Sequence, residues 1–264
     1  MRLRFRFGKE GKVRFTSHRD VARMWERSFR RVRLPVAYTA GFSPRPKVSF
    51  GLALPTGAES TAEYLDVELG EPVAQDGLAR SLTAALPVGV DVLAVIPIDG
   101  REGSLQHEVT SCSWSIEVGG LDLDQARSRA AEIMAADELV VTRERKGSPV
   151  TADVRPAIIA LAAPVSGRAG VRIDCELATQ PRGLRPTELV DALGGTLVAS
   201  FRYAQWIERD GARWEPIPLP ATDALHEKDS SDDRPGPGLE RAHPGSPAPD
   251  RRPVTGAVAG AVSS

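Results

Sequence analysis

The sequence predicts an α+β fold of two tandem ferredoxin-like (βαββαβ) units with extra strands, spanning residues 1–104 and 105–219, with a disordered tail at 220–264. Three observations predict it. Short segments of period-two hydrophobicity alternate with helical stripes, in the order strand, helix, strand, strand, helix, strand. The rhythm occurs twice, more cleanly in the second half. From residue 221 onward the chain holds six prolines and five glycines and no aromatic residue, a composition that cannot build a packed core.

The first segment, Arg2-Leu-Arg-Phe-Arg-Phe7, alternates strictly. It predicts a half-buried strand with Leu3, Phe5 and Phe7 inside and Arg2, Arg4 and Arg6 on an open arginine face. A turn at 8–11 leads to a second extended stretch at 13–16. Ser17-His-Arg-Asp20 has the form of a capping box with Asp in place of Glu or Gln. The helix it starts runs to about Arg31, with Val21, Trp25, Ser28, Phe29 and Val32 as its buried stripe. Arg19, Arg23, Arg27 and Arg30 form a second stripe around the same helix. Leu34-Pro35 stops it.

Strands are expected at 36–39, 47–53 and 63–69, a helix at 73–86 and a strand at 90–98. The second half reads as a strand at 108–118, a helix at 123–136, strands at 139–145, 152–162 and 171–178, a helix at 187–193 and a strand at 197–207. Cys112 and Cys175 fall in two of these strands and are expected as small core residues rather than ligands.

The formal charge of −1 hides a strong polarity. Residues 1–50 carry fourteen Lys or Arg against three acids, a net of +11, and the rest of the chain carries −12. A basic block of this kind is the electrostatic footprint of a polyanion partner. Only five of the 34 basic residues are lysines, which codon bias in a high-GC genome mostly explains, whereas it does little to explain the clustering.

Candidate nucleic-acid contacts are Arg4, Arg6, Lys12, Arg14, the Arg19/Arg23/Arg27/Arg30 stripe, and Phe42, Arg45 and Lys47 of the loop Gly41-Phe-Ser-Pro-Arg-Pro-Lys47. A ring beside two cations suits stacking on a base while its phosphate is held. The same loop also fits a rigid connection with Phe42 in the core, and the arginine stripe also fits a solvated helix face. His18, in the first helical turn, is the candidate catalytic residue as general acid or base, or else a ring filling the base of the apolar side. Glu59 and Glu63 offer carboxylates for acid–base work or for clamping a basic partner, although turn chemistry around Gly57 accounts for that segment too.

Four histidines show no metal spacing, and no Gly-rich phosphate loop or nucleophile elbow is present. No cofactor is expected in this chain. Two cysteines in 264 residues indicate a reducing compartment. No apolar run approaches the roughly 20 residues of a membrane span. No signal pattern opens the chain, so the expected location is cytoplasmic, with no membrane partner.

Three stretches together, Lys12-Val-Arg-Phe-Thr-Ser-His-Arg-Asp20, the run Arg30 to Lys47 ending in Gly-Phe-Ser-Pro-Arg-Pro-Lys, and Gly57-Ala-Glu-Ser-Thr-Ala-Glu-Tyr-Leu-Asp66, resemble the radical-SAM-linked protein family. That bacterial domain family occurs alone or C-terminal to a radical SAM protein. The resemblance is dense over residues 1–100 and looser to 219. It implies a separate radical SAM protein as partner, holding the iron–sulfur cluster and SAM, because this chain lacks Cys-x-x-x-Cys-x-x-Cys. It carries over no catalytic residue.

The leading expectation is therefore an RNA-binding accessory module that works with a radical SAM enzyme in tRNA or rRNA modification. Two alternatives stay open: an RNA-cleaving or RNA-modifying enzyme using His18, and a protein-only docking partner of the radical SAM enzyme.

Overall fold

A computed structural model describes residues 1–99, 103–145 and 148–218. Its organising element is the strand predicted at the start of the chain. β1 (Arg2–Lys9) is followed by a 3-10 turn (Gly11–Phe15), α1 (His18–Arg31), β2 (Val48–Phe50), β3 (Glu59–Glu68), α2 (Leu78–Ala85) and β4 (Val92–Ile98). The second half holds α3 (Leu105–Glu108), β5 (Val109–Gly119), α4 (Leu123–Ala135), β6 (Val140–Arg145), β7 (Ser148–Asp153), β8 (Ile158–Leu161), β9 (Val165–Ser166), β10 (Val171–Ala178), α5 (Pro186–Leu193), β11 (Thr196–Arg209) and β12 (Ala212–Trp214).

The fold is α+β around one large mixed sheet of order β4-β1-β3-β11-β5-β10-β8. In the first half β1 pairs antiparallel with both β3 and β4, and β2 pairs antiparallel with β3. In the second half β5 pairs antiparallel with β10 and β11, and β10 with β8. The halves join where β3 and β11 run parallel, through Phe201 opposite Glu59 and Arg202 opposite Ser60. β2 and β11 thus share one edge of β3, β2 at its C-terminal end and β11 at its N-terminal end.

The apolar side of β1 packs as its alternation requires. Trp25 lies edge-on to Phe7 with centroids 5.0 Å apart, and Phe5 and Phe29 complete an aromatic cluster over Leu65, Val67 and Leu82. Each such side chain contributes about 1.5–3 kcal/mol by leaving water. A second cluster packs α4 and α5, through Ala126, Ala130, Ile133, Leu189 and Leu193, onto Trp114, Ile116 and Ile173. Cys112 and Cys175 are both free and buried in this second cluster, as expected of small core residues.

Several expected elements come out differently. Residues 13–16 are not extended: Thr16 N–H and Oγ1 both donate to the Val13 carbonyl, closing a 3-10 turn. The strand expected at 36–39 reduces to isolated bridges, Val36 to Leu69 and Tyr38 to Pro46. The strand at 47–53 shortens to β2, because β11 rather than β2 pairs with the start of β3. The helix at 73–86 starts only at Leu78, after Gly77 takes a left-handed turn at φ 71°. Pro156 opens a 3-10 turn (Arg155–Ala157) that splits the strand expected at 152–162 into β7 and β8. The tail at 220–264 lies outside the described residues. Among the described residues no helix is long and apolar enough to cross a membrane.

The largest departure concerns the arginine side of β1. Arg4 and Arg6 are each 3% exposed, so the expected open arginine face is not a free surface. Arg4 clamps the Asp66 carboxylate through Nε at 2.8 Å and Nη2 at 3.0 Å, and Arg2 donates to the same carboxylate at 2.8 Å. Arg6 donates to Glu215 and to the carbonyls of Thr61, Ile217 and Tyr203, and lies over the Tyr64 ring. Buried guanidinium groups persist only when they are paired and saturated with acceptors, which is their condition here. Arg4 and Arg6 therefore serve as internal struts, and this structure does not present them to a nucleic acid.

Candidate nucleic-acid interface

α1 begins as its sequence dictates. Ser17 is the N-cap and accepts from the Asp20 N–H, while its hydroxyl donates to the Asp20 carboxylate at 2.7 Å. That hydroxyl bond, with Arg23 also nearby, holds the Asp20 carboxyl below its ordinary value. The helix ends in a Schellman motif. Arg33 is left-handed at φ 57°, its N–H donates to the Arg30 carbonyl, and Leu34 N–H reaches back to Phe29.

Burying Val21, Trp25, Ser28 and Phe29 turns the arginine stripe to solvent. Arg19, Arg23, Arg27 and Arg30 are all exposed. Arg23 is engaged with Asp20 at 3.3 Å, whereas among the described residues Arg19, Arg27 and Arg30 have no acidic partner. By contrast Arg2, Arg4, Arg6 and Arg213 are all paired with carboxylates. The predicted positive charge of the front of the chain is thus cancelled on the inner side of β1, while on α1 Arg19, Arg27 and Arg30 have no acidic partner among the described residues.

The loop after α1 is a stiff-based hairpin. Lys47 N–H donates to the Ala37 carbonyl, Thr39 N–H donates to the Arg45 carbonyl, and Arg45 N–H donates to Thr39 Oγ1. Gly41, at φ 124°, turns the tip in a conformation that side-chain-bearing residues rarely adopt. Phe42 at that tip is wholly exposed, so it is not the core residue its apolar ring also allowed. Arg45 beside it is exposed, and Lys47 at the base pairs with Glu68 at 2.8 Å. Lys12 is exposed on the 3-10 turn. Arg14 is partly exposed, bound to Glu59 at 3.0 Å and stacked over Phe15 at 4.7 Å.

His18 is the first residue of α1 and exposed, its ring edge-on to Phe50 with centroids 5.2 Å apart. It stands at a cleft also lined by Phe7, Lys9, Phe50, Leu52 and Glu63. Sequence reasoning missed Lys9 and Arg202 here and left the role of Glu63 open. Lys9 follows the alternating run past a bulge near Gly8, so its period gives no hint of burial, yet it is 2% exposed. Burial pushes its amine below the usual lysine range, and Arg202 adds to this while Glu63 opposes it. Glu63 is not a free acid or base, since Arg202 holds both its oxygens. Among the described residues no cluster of three or more His, Cys, Asp or Glu is placed to hold a metal ion.

Comparison with known proteins adds a family. No curated protein matches the sequence. A chain in the crystal structure of a Cbf5–Nop10–Gar1 complex is similar, with a TM-score of 0.44 and 10% identity. The match covers 77% of this chain and 48% of that one, so this chain spans about half the length of its neighbour. The family model described as "Uncharacterized protein conserved in bacteria (DUF2344)" matches residues 2–186, most of the ordered elements above, and the chain belongs to that family.

Proposed function

We propose that this protein is an RNA-binding accessory module working beside a separate radical SAM enzyme in tRNA or rRNA modification, and that the RNA lies along α1 and the hairpin that follows it. The observation that carries the reading is that Arg19, Arg27 and Arg30 stand on the solvent side of α1 with no acid among the described residues to pair with them. Surface cations not engaged in ion pairs are the groups whose phosphate contacts release counterions. Phe42, held out at the tip of a hydrogen-bonded hairpin beside Arg45, suits a base that stacks while its backbone is neutralised. Within each half the strand order is that of a ferredoxin-like βαββαβ unit, β4-β1-β3-β2 and β11-β5-β10-β8, which supports reading the chain as two such units. The radical SAM partner rests on the sequence resemblance at residues 12–20, 30–47 and 57–66.

The test is a fluorescence-anisotropy titration with an unmodified tRNA transcript and a ribosomal RNA hairpin at two salt concentrations. The wild type binds with an affinity that falls steeply with salt, and Arg19→Glu/Arg27→Glu/Arg30→Glu abolishes binding while the circular dichroism spectrum is kept. Equal RNA affinity in wild type and variant overturns the interface. RNA-independent capture of the radical SAM enzyme, lost in the same variant, assigns the basic face to protein docking instead.

A further inference from the structure

We propose that Phe15 and Lys12, on the 3-10 turn before α1, bind an unpaired nucleotide of the RNA, its base stacked on the Phe15 ring and its phosphate on the Lys12 amine. The inference deepens the RNA reading and rests on it. It gives the RNA a single-stranded segment and a second base contact, remote from the Phe42 hairpin.

The inference starts from the ring. Phe15 is 63% exposed, yet the turn that carries it is firmly held. Val13 anchors the turn in the aromatic core. The Arg14 carbonyl accepts from the Gly57 N–H at 2.8 Å and from Lys9 Nζ at 3.3 Å, and Gly11 N–H donates to Glu59 Oε1 at 2.7 Å. One exposed phenylalanine needs no explanation by itself. A ring on a fixed support loses little further freedom when a planar ligand stacks on it, which favours binding. The Arg14 guanidinium lies 4.7 Å from the ring centre and is itself held by Glu59 at 3.0 Å. With Arg14 backing one face, the ring's exposure means that its other face is open to a base.

Lys12 supplies the charge. Side chains three residues apart eclipse in a 3-10 turn, so Lys12 and Phe15 share one side of it. Lys12 is exposed and has no acidic partner among the described residues. The acids around it are turned elsewhere: Glu59 holds Arg14 and the Gly11 N–H, and the Glu10 carboxylate lies over Gly8.

Topology then sets the kind of RNA. The turn is tied to Glu59 at the start of β3, whereas the backbone of Ala37 and Lys47, at the base of the hairpin, is tied to Glu68 at its end. Nine residue steps along a strand put these two anchors about 30 Å apart. Phe15 and Phe42 therefore take different bases. A base inside a duplex already has a neighbour on each face, so the one on Phe15 is unpaired. Arg19 lies four residues beyond Phe15, at most about 14 Å away, so the same strand can continue onto the arginines of α1.

The experiment is a fluorescence-anisotropy titration of the full chain with a labelled oligouridylate of about 12 nucleotides, and with a blunt RNA duplex of the same length. Phe15→Ala is expected to weaken the single strand about five- to a hundredfold and to leave the duplex unchanged, while Phe15→Trp retains both affinities. Lys12→Gln lowers the slope of log affinity against log salt by about 0.7 for the single strand. Both side chains are exposed, so the urea unfolding midpoints of Phe15→Ala and Lys12→Gln match the wild type. Single-strand affinity unchanged in Phe15→Ala, or an equal loss for strand and duplex, overturns the inference. If a tRNA transcript still binds through Arg19, Arg27 and Arg30 in that case, the RNA interface stands without this site. If the wild type binds no RNA at all, both fall.

Discussion

Arg202 on β11 and Glu63 on β3 meet across the line where the two halves of the chain join, 139 residues apart in sequence and with Nη2 2.6 Å from Oε1. The same arginine donates to the Leu52 carbonyl at 2.9 Å and lies over the Trp114 ring at 5.3 Å. Ser60 Oγ donates to the Arg202 carbonyl and Gln205 donates to the Ala62 carbonyl beside it. The parallel contact of β3 with β11 pairs only two residues on each strand, so these side chains carry much of the union.

That union predicts an asymmetry between single variants. Arg202→Met strands a buried carboxylate and is expected to cost about 3–5 kcal/mol. Glu63→Gln is expected to cost at least as much, because it leaves Arg202 and Lys9 as two buried cations with no neutralising charge. The double variant Arg202→Met/Glu63→Leu costs less than the sum of the two, since it leaves neither a stranded Glu63 carboxylate nor an unpaired Arg202, although Lys9 loses the anion that faces it. Urea unfolding midpoints measure all three, and simple additivity of the two losses would sink this account.

The α1 arginines predict a salt signature. On the proposed RNA interface, replacing Arg19, Arg27 and Arg30 with Gln is expected to remove up to three phosphate contacts and to lower the slope of log affinity against log salt by about 2. Arg4→Gln behaves oppositely. It destabilises the fold through the abandoned Asp66 carboxylate, and the slope of the protein that remains folded is unchanged. A slope equally sensitive to Arg4 and Arg27 would contradict the division between inner struts and outer contacts.

Phe42 predicts a clean separation of stability from binding. Its ring touches no core, so Phe42→Ala changes the unfolding free energy by less than about 0.5 kcal/mol. On the proposed interface, loss of the base stacked on Phe42 is expected to weaken RNA affinity by about 1–3 kcal/mol. Phe42→Trp retains it. A destabilised Phe42→Ala protein with intact RNA affinity would reverse the assignment.

The buried thiols predict an alkaline loss of stability. Burial pushes Cys112 up to about 11 and Cys175 up to about 12, from an ordinary value of 9.0. In the unfolded chain both ionise near pH 9 while the folded thiols stay protonated, so the folded state binds more protons above that point. The stabilisation is whole below about pH 9 and is lost as pH rises, through about 11 for Cys112 and about 12 for Cys175. Denaturant unfolding of wild type and Cys112→Ala/Cys175→Ala across pH 8–11 checks it: the wild-type decline is expected to be steeper, and parallel curves refute it.

What the amino-acid sequence determined by itself was local. The alternation from Arg2 to Phe7 set two faces for β1 and put Leu3, Phe5 and Phe7 inside. The Ser17 cap and the Val21/Trp25/Phe29 spacing set where α1 starts and which side it buries, and so left its arginines in water. These follow from periods of two and 3.6 residues, which act over a few residues and need no partner. Only the tertiary structure decided what covers each face. Alternation cannot say that Asp66 and the chain at 215–217 close over Arg4 and Arg6, since both come from distant parts of the chain. The Lys9–Glu63–Arg202 cluster lay equally out of sight. It exists because β11 runs parallel to β3 in one particular register, and register is a long-range consequence of how two separate cores pack.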